Sequence, residues 1–123
     1  MRSGSTRHAT GRRRLAYHAT TWRAVAYMWD GGAGVDPAAS ERFAHVFVFE
    51  TLAQALDFVR RYPDNFADTG PVVLELDVTG LPLEPDPQRP PLPGAWRCPV
   101  AIELCRFRAR IEPHGRRHEY PAA

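Results

Sequence analysis

A chain of 123 residues has room for one domain and buries roughly two thirds of the surface its unfolded form exposes, which excludes a second domain. Its 44% hydrophobic and 24% charged shares are those of an ordinary globular protein and exclude a disordered or fibrous chain. No apolar run approaches the roughly 18 to 20 residues that span a bilayer, and the Arg-rich start has no apolar secretory core, so the chain is expected in the cytosol without a membrane partner.

The cations are all arginine, with no lysine, and they are unevenly placed. Residues 1 to 14 carry five arginines and no acid, whereas residues 15 to 112 carry nine arginines against thirteen acids. A basic tail on a mildly acidic body is not the broad basic face of a duplex-binding protein, although the tail alone has the chemistry for phosphate contact. The expected organisation is a flexible basic tail over 1–13, one domain over 14–112 and a second flexible tail over 113–123.

In chain order, Leu15 to Ala19, apolar with a polar His18, predicts the first strand, after which Thr20 or Thr21 caps a helix. That helix carries Trp22, Val25, Ala26 and Trp29 at core-facing spacing and stops at Gly31, Gly32 and Gly34. His45 to Phe49, β-branched and aromatic with apolar residues on both faces, predicts a strand in the middle of the sheet. Thr51 and Gln54 then form a capping box, and Leu52, Ala55, Leu56 and Val59 repeat at helical spacing until Pro63.

Val72, Leu74, Leu76 and Val78 alternate with Val73, Glu75 and Asp77, which predicts a strand with one wet face. Six prolines between 82 and 93 predict a stiff extended loop, suited to lie over a cleft. A last strand is expected over 101–111, with Glu103 the single charge on its apolar side. Helices early and unaccompanied strands late favour the α+β class over a doubly wound parallel sheet. Cys98 and Cys105 lie about 23 Å apart in extended chain, so two reduced thiols are expected. His114 and His118 with these cysteines lack the short spacing of zinc modules, and no metal site is expected.

The tetrad Tyr17-His18-Ala19-Thr20 resembles the Tyr-His-Gly-Thr opening of small ADP-ribosyltransferase-fold proteins, notably the rifamycin ADP-ribosyltransferases and the RNA 2′-phosphotransferases. The run His45 to Phe49 followed by Thr51, Leu52 and Ala55 resembles that family's second strand and helix start. Leu74 to Val78, Gly80, Glu84 and Asp86-Pro87 resemble the later strand and the acidic Asp-Pro segment of the rifamycin enzymes, so the likeness runs from residue 15 to residue 111.

The resemblance implies a split mixed or antiparallel sheet with two helices, NAD as co-substrate and transfer of ADP-ribose to an acceptor that is a small molecule, a protein or a nucleic acid. It places His18 on the NAD ribose and nicotinamide side, and Ala19 and Thr20 in the nicotinamide pocket. Tyr17, His45, Phe47 and Phe49 complete the expected cofactor-binding set. Cleavage of a nicotinamide glycosidic bond passes through an oxocarbenium-like state, so the site must orient the ribose and supply a nearby acid.

Three acids are candidates. Asp86 matches the Asp-Pro position, Glu84 is its loop neighbour, and Glu103 sits on an apolar strand face where a carboxylate is costly without a role. The residues Ala16, His18 and Thr20 on one strand, and His45, Phe47 and Phe49 on the other, are expected to present the two faces of a cleft. Phe47 and Phe49 stand where such enzymes carry Tyr, His or Ser; they can stack but cannot donate a hydrogen bond. Hence the alternative expectation is a non-catalytic member that binds a nucleotide or protein, and the third is RNA-end processing.

Overall fold

The computed structural model describes residues 13–32, 34–36, 45–87 and 92–121. The expected N-terminal tail lies almost wholly outside these residues. The described chain is an α+β domain with two α-helices and a seven-stranded antiparallel sheet. The strands are β1 (Leu15–Thr21), β2 (Val46–Phe49), β3 (Pro71–Asp77), β4 (Glu84–Pro85), β5 (Ala95–Cys98), β6 (Phe107–Ile111) and β7 (Arg117–Glu119). Their spatial order is β4-β5-β2-β1-β3-β6-β7, so β1 is the central strand and β2 an interior one.

Helix α1 (Trp22–Gly31) starts directly from β1 because Thr21 accepts a hydrogen bond from the Ala24 N–H, satisfying a donor that the first turn leaves over. It ends at Gly32, whose φ of 70° lies in the left-handed region where glycine meets no Cβ penalty. Helix α2 (Leu52–Arg61) opens on the expected capping box: Thr51 Oγ1 accepts from Gln54 N and Gln54 Oε1 accepts from Thr51 N. Pro63 begins a 3-10 turn, Pro63–Phe66, in place of further helix.

The two helices cover opposite faces of the sheet. Val25 of α1 joins Ala16, Val46, Val48, Leu74 and Leu76, while Ala55 and Val59 of α2 join Phe49, Phe66, Val73 and Ile111. This corrects the expected wet face of the 72–78 strand, since Val73 packs into the α2 cluster as fully buried as Leu74 on the other side, and Glu75 is buried against Tyr17 and Arg117. On α1, Ala26 is exposed and Trp29 is only partly covered, against Phe107 and Tyr120, so the core stripe is narrower than the sequence spacing suggests.

Two further expectations change at the C-terminal end. Residues 101–111 do not form one strand: Ile102 bridges Val35, a 3-10 turn follows at Leu104–Arg106, and only then does β6 begin. The segment after residue 112 is not a loose tail, because β7 pairs with β6 and Arg117 clasps Glu75 through two hydrogen bonds of 3.0 and 2.6 Å. Of the proline-rich stretch, residues 88–91 lie outside the described ones; Glu84–Pro85 form the two-residue edge strand β4, a position that tolerates the missing proline N–H. Both cysteines are free, Cys98 buried and Cys105 exposed. No helix among the described residues is long and apolar enough to cross a membrane.

Candidate functional site

Strand β1 is paired unequally on its two edges. Seven consecutive residues match β3, whereas against β2 a single pair, Tyr17 with Phe49, is in register among the described residues. Beyond that pair the strands separate and a cleft of about 1080 Å³ opens between them. That volume lies just above the roughly 300–1,000 Å³ typical of ligand sites. One wall is α1 with the residues after it, through Ala24, Tyr27, Met28, Gly34 and Asp36; the other is Phe58 with Asp64, Asn65 and Phe66, and Asp86 and Ala95 also line it.

His18 lies where the ladder is lost. Its Nδ1 is 2.7 Å from the backbone oxygen of Phe47, so the side chain spans a gap that backbone pairing does not close. A carbonyl can only accept, and Nδ1 therefore carries the proton. Burial pushes the imidazole below its ordinary pKa, against the opposing pull of the Phe47 carbonyl, and the ring stays neutral at neutral pH. A neutral ring protonated on Nδ1 has a bare lone pair on Nε2, and this ring lines the cleft.

The expected binding residues His18, Ala19, Thr20, His45, Phe47 and Phe49 all line the cleft. Tyr17 does not: its hydroxyl donates to Glu75 Oε2 at 3.0 Å on the α2 face, and burial together with Glu75 raises its pKa. The expected grouping of faces is also corrected. Because Tyr17 opposes Phe49, Phe49 shares the α2 face with Tyr17, and Val46 and Val48 share the other face with Ala16 and His18. Phe47 meets His18 through its carbonyl, and residues of both faces reach the cleft because it is a parting of strands.

The three acids separate clearly. Asp86 lines the cleft, delivered by β4 and anchored by its N–H donating to Ala95 O at 3.1 Å. Glu84 does not line it; register places this residue opposite Arg97, whose Nε donates to Glu84 Oε1 at 2.6 Å, with His45 Nε2 at 3.8 Å from the same oxygen. Glu103 is exposed just before the 3-10 turn, so the argument from a buried carboxylate does not apply to it.

Asp36, Asp64, Asn65, Phe58 and Tyr27 line the cleft and were not found from the sequence. Asp64 and Asn65 follow Pro63, where the sequence signals only a helix stop. Gly34 has a legible reason: an added Cβ would run into the Ile102 carbonyl that Val35 N–H uses in its bridge. Among the described residues no group of three or more His, Cys, Asp or Glu side chains is placed to hold a metal ion. Comparison of the chain with family models, with curated proteins and with solved structures finds no match in any of the three.

Proposed function

We propose that the chain is an NAD-dependent ADP-ribosyltransferase whose cleft between β1 and β2 holds the dinucleotide. The observation that carries the reading is His18: a neutral imidazole, tied through Nδ1 and bare at Nε2, on the wall of a cleft large enough for a dinucleotide. Such a nitrogen accepts a hydrogen bond from a ribose hydroxyl and so fixes the sugar that must take on oxocarbenium character. Asp86 is the acid that lines the same cleft and is assigned to charge stabilisation there. Ala19 and Thr20 are assigned to the nicotinamide pocket, and Phe47 and Phe49 supply apolar contact. NAD brings the glycosidic bond to be cleaved: nicotinamide leaves with the bonding electron pair, and a nucleophilic atom of the acceptor, or water when no acceptor is supplied, bonds to the ribose carbon and gives up its proton; the chain's task is to bind the dinucleotide and orient the ribose.

Calorimetric titration with NAD, followed by an assay of the same sample for free nicotinamide, tests this reading. Binding with release supports it, and His18→Ala is expected to abolish the release; full turnover by that variant would sink it. A second reading, nucleotide binding without turnover, is favoured by Phe47 and Phe49, which offer no donor, and by the engagement of Glu84 with Arg97. Binding without release selects it.

A further inference from the structure

Helix α1 carries two apolar stripes: one covers the sheet, and the other, although its Met28 also packs against the core, runs along the cleft. Trp22, Val25 and Trp29 turn towards the core, where Val25 is buried, Trp22 packs against the same cluster and Trp29 meets Phe107 at 5.7 Å. A second stripe, Ala24, Tyr27, Met28 and Gly31 at i, i+3, i+4 and i+7, lines the cleft. A helix that served only as cover would place a polar residue at 27, the position of this stripe most open to solvent. Tyr27 instead keeps 67% of its surface exposed, more than any other large hydrophobic residue among those described.

The stripe has the composition of a ring platform. Ala24 and Gly31, one turn before and after the Tyr27–Met28 pair, are small and leave room beside the phenol. Met28 offers a polarisable thioether in the same wall. Tyr27 lies six residues beyond the cap at Thr21, a rise of about 9 Å along α1, so the platform is well separated from the β1 end of the cleft. Tyrosine stacks on a planar ring while its hydroxyl stays in water.

We infer that Tyr27 is the stacking platform for a planar heteroaromatic ring of the nucleotide ligand, a specificity element distinct from the ribose contact at His18. The inference rests on the nucleotide reading of the cleft. An adenine and a nicotinamide ring present the same flat chemistry, and the choice of probes tells them apart.

The full chain, as wild type, Tyr27→Ala and Tyr27→Phe, is titrated calorimetrically with NAD, with ADP-ribose and with nicotinamide mononucleotide. Tyr27→Ala is expected to lose roughly tenfold in affinity for NAD, the effect of removing one base–aromatic stack. Tyr27→Phe keeps affinity to within about twofold because the ring face is retained. A parallel loss for ADP-ribose alone places adenine on Tyr27, and a parallel loss for the mononucleotide alone places the pyridinium ring there. Wild-type binding that Tyr27→Ala leaves unchanged for all three probes overturns this inference and assigns the stripe another occupant. A wild-type chain that binds none of them overturns the nucleotide reading as well. Alanine at an exposed helical site is the best helix former, so the variant folds.

Discussion

The two edges of β1 show how one strand can be fully paired on one side and part from its neighbour to open a cleft on the other. Towards β3 every residue from Leu15 to Thr21 has a partner, both faces are covered by helices, and the polar groups that intrude are answered in place. Glu75 is the clearest case: it is 6% exposed, yet Arg117 and Tyr17 supply donors at 2.6 to 3.0 Å and hold its carboxyl below the usual range despite burial. Towards β2 the register ends after one pair, and the donor that meets the Phe47 carbonyl is the imidazole of His18. A sheet that paired β1 equally on both edges would be more regular but would have no cleft.

The comparison is broken most severely from the β3 edge. Leu74 is fully buried at the centre of the larger cluster, and Leu74→Ala is expected to lower unfolding stability by about 3 kcal/mol through lost transfer energy and a residual cavity. Urea denaturation measures it, and a loss below about 1 kcal/mol would show that stability is not centred on the β1–β3 layer. Next comes Arg117→Met, which leaves a buried carboxylate with two donors fewer, only that of Tyr17 remaining. The expected loss is about 2 kcal/mol, below the usual range for a broken buried pair because Arg117 itself is partly open to water. The double variant Glu75→Leu with Arg117→Met should recover much of that loss; if it does not, the clasp on β7 depends on more than this pair.

Much of this division was legible in the chain. The capping box at Thr51 and Gln54 and the apolar repeat of α2 are local signals, and local signals survived. The burial of Val73 and Glu75 was not legible, because it depends on where α2 and Arg117 pack, and alternation of Glu75 and Asp77 with leucines reads as a half-wet strand whichever helix lies above. His18 was found only through the likeness of its tetrad; its tautomer follows from the Phe47 carbonyl, a contact across 29 residues of sequence. The tail after residue 112 looked loose since Arg117 and Glu119 are polar, yet their partners lie on β3 and β6. Tyr27 was hidden by the stronger tryptophan spacing on the same helix.

A subtler effect belongs to the β2 edge and to pH. His18 is held neutral when folded, with its pKa lowered by burial, so above about pH 6.5 folded and unfolded chains carry the same neutral ring and stability is complete. As pH falls below that value the unfolded ring takes a proton that the folded one resists, and stability declines. His18→Gln removes this share of the slope, visible as the difference between the two denaturation midpoints across pH 7 to pH 5. Identical slopes for the variant and the wild type would mean that His18 is open to protonation in the folded state.

The smallest effect on stability is also the most informative about chemistry. Glu84→Gln alters an ion pair whose side chains are 48% and 31% exposed, and its expected stability cost is about 0.5 kcal/mol. The pair fastens β4 to β5, and β4 is the strand that carries Asp86 to the cleft. On the proposed transferase reading, if Glu84 acts only as a fastener, exchanging the charges in Glu84→Arg with Arg97→Glu preserves the attachment, and nicotinamide release proceeds near the wild-type rate, whereas Asp86→Asn abolishes it. If the carboxylate at position 84 is itself the acid, the exchange abolishes release as completely as Asp86→Asn does. A β4 that needs its fastener and a cleft that needs its acid thus give opposite answers to one double substitution, which decides whether the β2 edge borrows a carboxylate from the sheet margin or only a strap.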